Sequence, residues 1–271
     1  MIHSATNAQA RNDLAWRFGA MASEAGRVIM SIYSPALRAV AKADGSPVTE
    51  ADTAAERVIR SGLSALLPDV PILAEESFAA GTGPMPDRFF LVDPLDGTRE
   101  FLTGSDEFTV NIALIEGGEP TVGCVYAPAL DCLYLGGEGA FRVELRPGEA
   151  VPALDSMDVL RTRPYPAQGL CAVASRSHLD DESEALLQRL QIAARKPAGS
   201  SLKFCMIAQG DSDIYPRLAP TMEWDTAAGQ AVLTSAGGCV IGRDGSPLRY
   251  GKAETGFRND GFVAWGRAPL P

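Results

Sequence analysis

The chain has 271 residues, 46% of them hydrophobic and 21% charged, enough for one compact unit or two small lobes sharing an interface. Its formal net charge of −10 offers no general basic surface, which argues against a nucleic-acid polymer as partner. No run reaches the ~18 uninterrupted apolar residues of a membrane span. The N-terminus shows no basic region followed by an apolar one, so the expectation is a cytoplasmic protein without a signal peptide. Peripheral attachment to an inner membrane face is left open, as is the oligomeric state. The five cysteines are scattered and form no CxxC pair, so they read as small buried hydrophobes rather than a disulfide or zinc framework.

Residues 12–33 carry Leu14, Phe18, Met21, Ala25, Val28, Ile29 and Ile32 at helical spacing. A polar loop follows from Lys42 to Pro47, then a second helix with Thr49 as its predicted N-cap and Pro68 at its end. From 71 to 143 the pattern is one of short strands, at 72–74, 89–92, 108–115, 121–127, 132–135 and 139–143, with Gly117 and Gly118 marking a hairpin. Residues 146–168 are rich in Pro, Asp and Arg. A boundary there predicts an N-terminal α+β lobe over 1–158 and a C-terminal α/β lobe over 159–271. The second half alternates: strand 170–174, helices 180–190 and 201–209, strand 213–216, helix 225–236, strand 238–241. Stacked α and β layers follow from that order.

Acids occur where solubility does not require them. Glu75 and Glu76 follow the apolar strand 72–74, and Asp93-Pro94-Leu95-Asp96-Gly97-Thr98 follows Phe89–Val92. Asp225 opens a helix, and Asp52 lies near the start of another. Strand ends and helix N-termini can share one cleft, and carboxylates there are hard ligands suited to Mg²⁺. Pro94 is expected to fix a turn in which Asp93 and Asp96 converge with the Leu95 carbonyl between them. Gly97 permits close backbone approach, and Thr98 would open a short helix over 99–102 that suits an anion. Plainer readings stand beside these: Glu75-Glu76 as a solvated turn, Asp225 as a helix cap, Asp52 as part of a capping box with Thr49. The Asp93–Thr98 run is hard to explain as a turn alone. Aspartyl-phosphate phosphatases carry Asp-x-Asp-Gly-Thr near the chain start, but here the acids are three apart and a third of the way along, so that scheme is rejected.

Residues 72–76, 93–98 and Trp224-Asp225-Thr226-Ala227-Ala228-Gly229 together resemble the three signatures of the inositol monophosphatase superfamily, over about residues 12–265. Asp44–Asp52, Glu107–Ala113, Ser175–His178 and Gly199–Cys205 narrow the resemblance to 3'(2'),5'-bisphosphate nucleotidases of the CysQ type. The resemblance implies an alternating α-β-α-β-α sandwich and hydrolysis of adenosine 3',5'-bisphosphate to AMP and phosphate, with the sulfated nucleotide as a further candidate substrate. It implies about two or three Mg²⁺ ions per site, held by Glu75, Asp93, the Leu95 carbonyl, Asp96 and Asp225. Thr98, oriented by Asp52, would deprotonate the attacking water, and Glu76 would act through water. Substrate contacts would come from Glu75, Leu95, Asp96, Gly97, Thr98 and Asp225, and around the nucleotide from Ser175, His178, Gly199, Ser200, Lys203 and Arg217. Lithium inhibition is implied as well. A lysine at 203 suits a second phosphate. The plainer readings are a surface histidine at 178, an exposed helical lysine at 203, and an arginine that closes a turn at 217. Two functional alternatives remain: an inositol monophosphatase with broad sugar-phosphate activity, and a nucleotide- or metal-sensing protein on the same fold.

Overall fold

The structure, a computed structural model, describes residues 2–33, 46–79, 81–174 and 180–269, without the side chains of 2–8 and 46–48. Two long helices come first, α1 (Ile2–Ile32) and α2 (Ser46–Leu66). On α1, Ala15, Phe18, Ala22, Ala25 and Ile29 recur every three or four residues and are all fully buried. On α2, Ala51, Ala55, Ile59 and Leu63 do the same. Each stripe is one face of a 3.6-residue period. The second helix begins at Ser46, so Thr49 lies within it and does not cap it, contrary to the sequence expectation. The same shift takes Asp52 beyond the first turn, onto the buried face.

A seven-stranded sheet follows in chain order: β1 (Ile72–Ala74), β2 (Arg88–Asp96), β3 (Thr109–Glu116), β4 (Glu119–Ala127), β5 (Cys132–Gly136), β6 (Ala140–Glu144) and β7 (Asp158–Val159). Only β1 and β2 are parallel; the other neighbours are antiparallel. The hairpin between β3 and β4 turns through Gly117 and Gly118, both at positive φ (60° and 78°), as a two-residue loop matched to strand twist requires.

The short helix α3 (Thr98–Thr103) leaves the end of β2. A second sheet, ordered β12-β14-β10-β8-β9, contains β8 (Leu170–Ala174), β9 (Ile192–Pro197), β10 (Ile214–Arg217), β12 (Cys239–Gly242) and β14 (Phe262–Trp265). A small ribbon pairs β11 (Thr221–Met222) with β13 (Arg258–Asn259). The remaining helices are α4 (Asp181–Arg189), α5 (Leu202–Ala208) and α6 (Ala227–Ser235).

Two large apolar clusters cover opposite faces of the first sheet. One joins it to α1 and α2; the other joins it to α5, α6 and the second sheet. A smaller cluster holds Leu187 of α4 against the far face of the second sheet. The layers therefore run α1/α2, sheet, α5/α6, sheet, α4, the alternating α-β-α-β-α sandwich expected from the sequence. Close approach of α6 to the first sheet depends on Gly123 and Gly136, where a Cβ would lie 2.6 Å from the Ala228 carbonyl oxygen and 2.7 Å from the Val232 backbone nitrogen. No helix among the described residues is long and apolar enough to cross a membrane. No disulfide forms among the five cysteines; four are buried and Cys239 is half-buried.

Candidate active site

The Asp93–Thr98 run departs from expectation in one respect: it is not a turn after the strand. Strand β2 continues to Asp96, and its pairing with β3 shifts between Asp93 (opposite Asn111) and Asp96 (opposite Thr109). Pro94 and Leu95 face the single residue Val110, which is a β-bulge. A proline is tolerated there because the ladder is already interrupted. The bulge buries the Leu95 side chain in the core. It also lets the Leu95 N–H donate to Asp93 Oδ1 at 3.1 Å. Gly97 follows at φ 93°, and a Cβ there would meet Phe108 Cα at 3.3 Å. From it α3 starts, with Thr98 exposed as its first residue.

Parallel pairing of β1 with β2 brings Glu75 alongside: its N–H donates to the Val92 carbonyl at 3.1 Å, and its side chain is hydrogen-bonded to Asp93. Burial pushes the Glu75 carboxyl above its ordinary range, the bond from Asp93 opposing this. Asp93, 1% exposed, is pushed well up by burial first and then by Asp96, Glu75, Asp225 and Asp52. Asp225 is raised to about 8 by burial and by Asp96. Asp52 on α2 is raised to about 8 by burial and by Glu76, Glu75 and Glu56.

Asp225 does not cap α6; the cap position is Thr226, and Asp225 Oδ2 instead accepts the Met222 N–H at 2.9 Å. Glu76 is exposed, but its backbone N–H donates to Glu56 Oε2 at 3.1 Å. No hydrogen bond between Thr98 and Asp52 is found among the described residues.

Three donors gather on Asp96 Oδ2: the Ser200 hydroxyl, the Ser201 hydroxyl at 3.0 Å and the Asn111 amide at 3.5 Å. Ser200 has φ 51°, a left-handed conformation rare for a residue with a Cβ. Its hydroxyl also reaches the Asp96 carbonyl at 3.0 Å and Thr109 Oγ1 at 2.6 Å, and these contacts hold the strained backbone. Gly199 has no room for a side chain, because a Cβ would lie 2.8 Å from the Glu107 carbonyl oxygen.

Lys203 is not an exposed helical residue. It is 6% exposed, its Nζ lies 3.5 Å from the Ala198 carbonyl and 5.3 Å from the centre of the Tyr215 ring, and burial lowers it to about 8 against the pull of Asp96. Arg217 ends β10, paired with Phe262, and closes no turn. Lys203, Arg217, Asp96, Gly97, Ser200 and Asp225 line one cavity of about 170 Å³ with Tyr215 on its wall. Ser175 and His178 lie outside the described residues, as do Asp44 and Gly45 of the stretch leading to Asp52.

Sequence reasoning missed several participants. Glu56 stands four residues after Asp52 on the same helical face, a spacing the sequence displays. Ser201, Thr109 and Asn111 adjoin residues already singled out, but their hydrogen bonds depend on tertiary pairing. Tyr215 had no signal beyond an aromatic residue in a strand.

Whether these groups suit a cation can be judged from their own chemistry. The Glu75 and Asp93 carboxyl groups lie in hydrogen-bond contact, Asp52 Oδ1 is buried without a partner, and none of Asp52, Glu75, Asp93, Asp96 and Asp225 makes an ion pair among the described residues. Such a set is costly unless cations neutralise it. Among the described residues no three acidic, imidazole or thiol groups converge tightly enough to enclose an ion as they stand. The oxygen-rich donor set nonetheless fits a hard divalent ion that keeps some of its waters.

The inositol monophosphatase family model matches residues 13–263. The chain belongs to the inositol monophosphatase family. It is 44% identical to the 3'(2'),5'-bisphosphate nucleotidase CysQ of Escherichia coli (strain K12), over 89% of this chain and 95% of that one. It is 40% identical to the protein of the same name from Buchnera aphidicola, over 90% of each. Among solved structures, CysQ from Bacteroides thetaiotaomicron superimposes with a TM-score of 0.78 at 35% identity, over 94% of this chain and 97% of that one. An inositol monophosphatase from Anabaena follows at 0.71 and 25%, over 96% and 92%.

Proposed function

We propose that this member of the family is a Mg²⁺-dependent 3'(2'),5'-bisphosphate nucleotidase that hydrolyses adenosine 3',5'-bisphosphate to AMP and phosphate. One observation carries the reading: Asp96 of β2 and Asp225 of the loop before α6 line the same cavity as the buried Lys203 and the half-buried Arg217. One wall calls for cations and the other for an anion, which is the arrangement a substrate with two phosphates needs. The 44% identity to nucleotidases over nearly the whole chain supports the choice of substrate. The sulfated form of the nucleotide is proposed as a second substrate.

Glu75, Asp93, the Leu95 carbonyl, Asp96 and Asp225 would hold two or three Mg²⁺ ions, about the number that phosphate-ester chemistry commonly uses. When bound, the ions acidify water and neutralise charge on the phosphoryl group and the leaving oxygen. The chain's own contribution is positional. The Asp93–Asp96 bulge sets the acids on one edge, and the hydroxyls of Ser200 and Ser201 fix one oxygen of Asp96. Thr98 would take the proton of the attacking water as it passes its own to the Asp52 carboxylate, and Glu76 would act through a further water. The water oxygen bonds to phosphorus as the ester P–O bond breaks, and the leaving 3' oxygen takes a proton from a second water, which the proton received by Asp52 restores. No covalent phosphoenzyme is involved. Lys203 and Arg217 would bind the phosphate that stays.

The test is phosphate release from adenosine 3',5'-bisphosphate, inositol 1-phosphate and fructose 1,6-bisphosphate, side by side with Mg²⁺. Highest kcat/KM on the nucleotide is expected; faster turnover of an inositol or sugar phosphate would overturn the assignment. Millimolar-range lithium is expected to inhibit.

A further inference from the structure

One buried polar network has no part in the chemistry above. Glu223 is fully buried, and its carboxylate accepts the N–H groups of Gly251 at 2.7 Å and Lys252 at 3.0 Å, and pairs with the Lys252 ammonium at 2.8 Å. The same ammonium donates to Asn259 Oδ1 at 3.0 Å. Asn259, also fully buried, directs its amide nitrogen at three oxygens: Thr226 Oγ1 at 3.0 Å, and Thr221 Oγ1 and the Met222 carbonyl, each at 3.2 Å. The Tyr250 hydroxyl lies 3.1 Å from Thr226 Oγ1 on the other side.

These contacts bracket Asp225. Met222, whose carbonyl Asn259 holds, donates its N–H to Asp225 Oδ2 at 2.9 Å, and Thr226 is the next residue in the chain. Asp225 needs such a bracket. Glu75, Asp93 and Asp96 are fixed by sheet pairing, whereas Asp225 comes from the loop before α6 and is repelled by Asp96 and Glu75. Burying a carboxylate and an amide costs free energy that an apolar filling would not. The network's return is a fixed position for the loop, as outer partners give metal-ligating groups elsewhere.

We propose that Asn259, itself oriented by the Lys252–Glu223 pair, is a positioning residue that presents the Asp225 carboxylate to a divalent cation. This rests on the reading of Asp225 as a metal ligand. Asn259 is fully buried and would touch neither substrate nor metal.

The test is calorimetric titration of the full chain with Mn²⁺, for the wild type, Asn259→Leu and Thr226→Val, with thermal melts of each. Both variants should bind Mn²⁺ about tenfold more weakly, within the range for loss of an outer partner. Their activity should need correspondingly more Mg²⁺, while KM for the nucleotide at saturating Mg²⁺ moves much less. Wild-type Mn²⁺ affinity in the folded variants would overturn the inference. If Asn259→Leu does not fold, Thr226→Val carries the test, since it removes one hydroxyl and keeps the volume. Failure of the wild type to bind Mn²⁺ would overturn the metal reading along with this one. Binding by the wild type with unaltered variants would overturn this inference alone.

Discussion

Asp93 and Asp96 lie three residues apart on β2, yet their partners on β3, Asn111 and Thr109, are only two apart. The extra residue is absorbed by the Pro94-Leu95 bulge. In a regular strand, residues three apart point to opposite faces. The bulge removes that constraint, and Asp96 becomes one of the largest sources of repulsion acting on Asp93.

Asp93→Asn should therefore lower kcat by at least about 100-fold, beyond the loss typical of an outer metal partner. The fold should survive, since volume is conserved and the new amide can still donate to Glu75 as the protonated Asp93 carboxyl does. Steady-state kinetics and a thermal melt without metal check both parts, the melt being expected to move little.

Metal-free stability should fall as pH rises. Asp52 and Asp225 have folded values of about 8, against 3.8 for the ordinary group. Between those limits the native state keeps protons that the unfolded chain has released, so stability declines from about pH 4 to about pH 8 and then levels. Cation binding needs the deprotonated carboxylates. Added Mg²⁺ should consequently raise Tm more at pH 8 than at pH 5, as melts at both values would show.

Lys203→Met should raise KM for adenosine 3',5'-bisphosphate by about tenfold or more, the loss of one charge-assisted contact, with little change for a substrate that has one phosphate. The free protein should become more stable below pH 8. There the native state carries the full cost of the buried ammonium, which is relieved only as pH rises from about 8 toward 10.5. Kinetics on the two substrates, with melts at pH 7, measure both effects.

Gly97→Ala should destabilise the fold by about 1–3 kcal/mol, because it forces a Cβ into positive φ beside the Phe108 backbone. Denaturant unfolding without metal reads this directly, and the midpoint should fall without a change of slope.

Much of this was legible in the sequence because the site is built from local motifs at strand ends. The acid after Ile72–Ala74 and the Asp-Pro-Leu-Asp run announce buried strands that end in charge, and burial periodicity places α1, α2 and α6. What escaped depends on distant pairing. Ile192–Pro197 is a mostly exposed edge strand ending in proline, with no alternation to mark it. Phe262–Trp265 fills the gap between β10 and β12, yet as a lone apolar run near the chain end it carries no periodic signal. Thr49 looked like a cap because Ser46-Pro47 read as loop, whereas proline is welcome in a helix's first turn. Glu223 and Asn259 are polar residues that only tertiary contact marks as buried, and Lys252 is half-buried beside them.

The most direct measurement follows adenosine 3',5'-bisphosphate by ³¹P NMR with Mg²⁺ present and then chelated. Loss of the 3' resonance alone, leaving 5'-AMP and inorganic phosphate, and its arrest on chelation, is the predicted result. Cleavage of the 5' phosphate, or turnover that persists without divalent cations, would contradict the account.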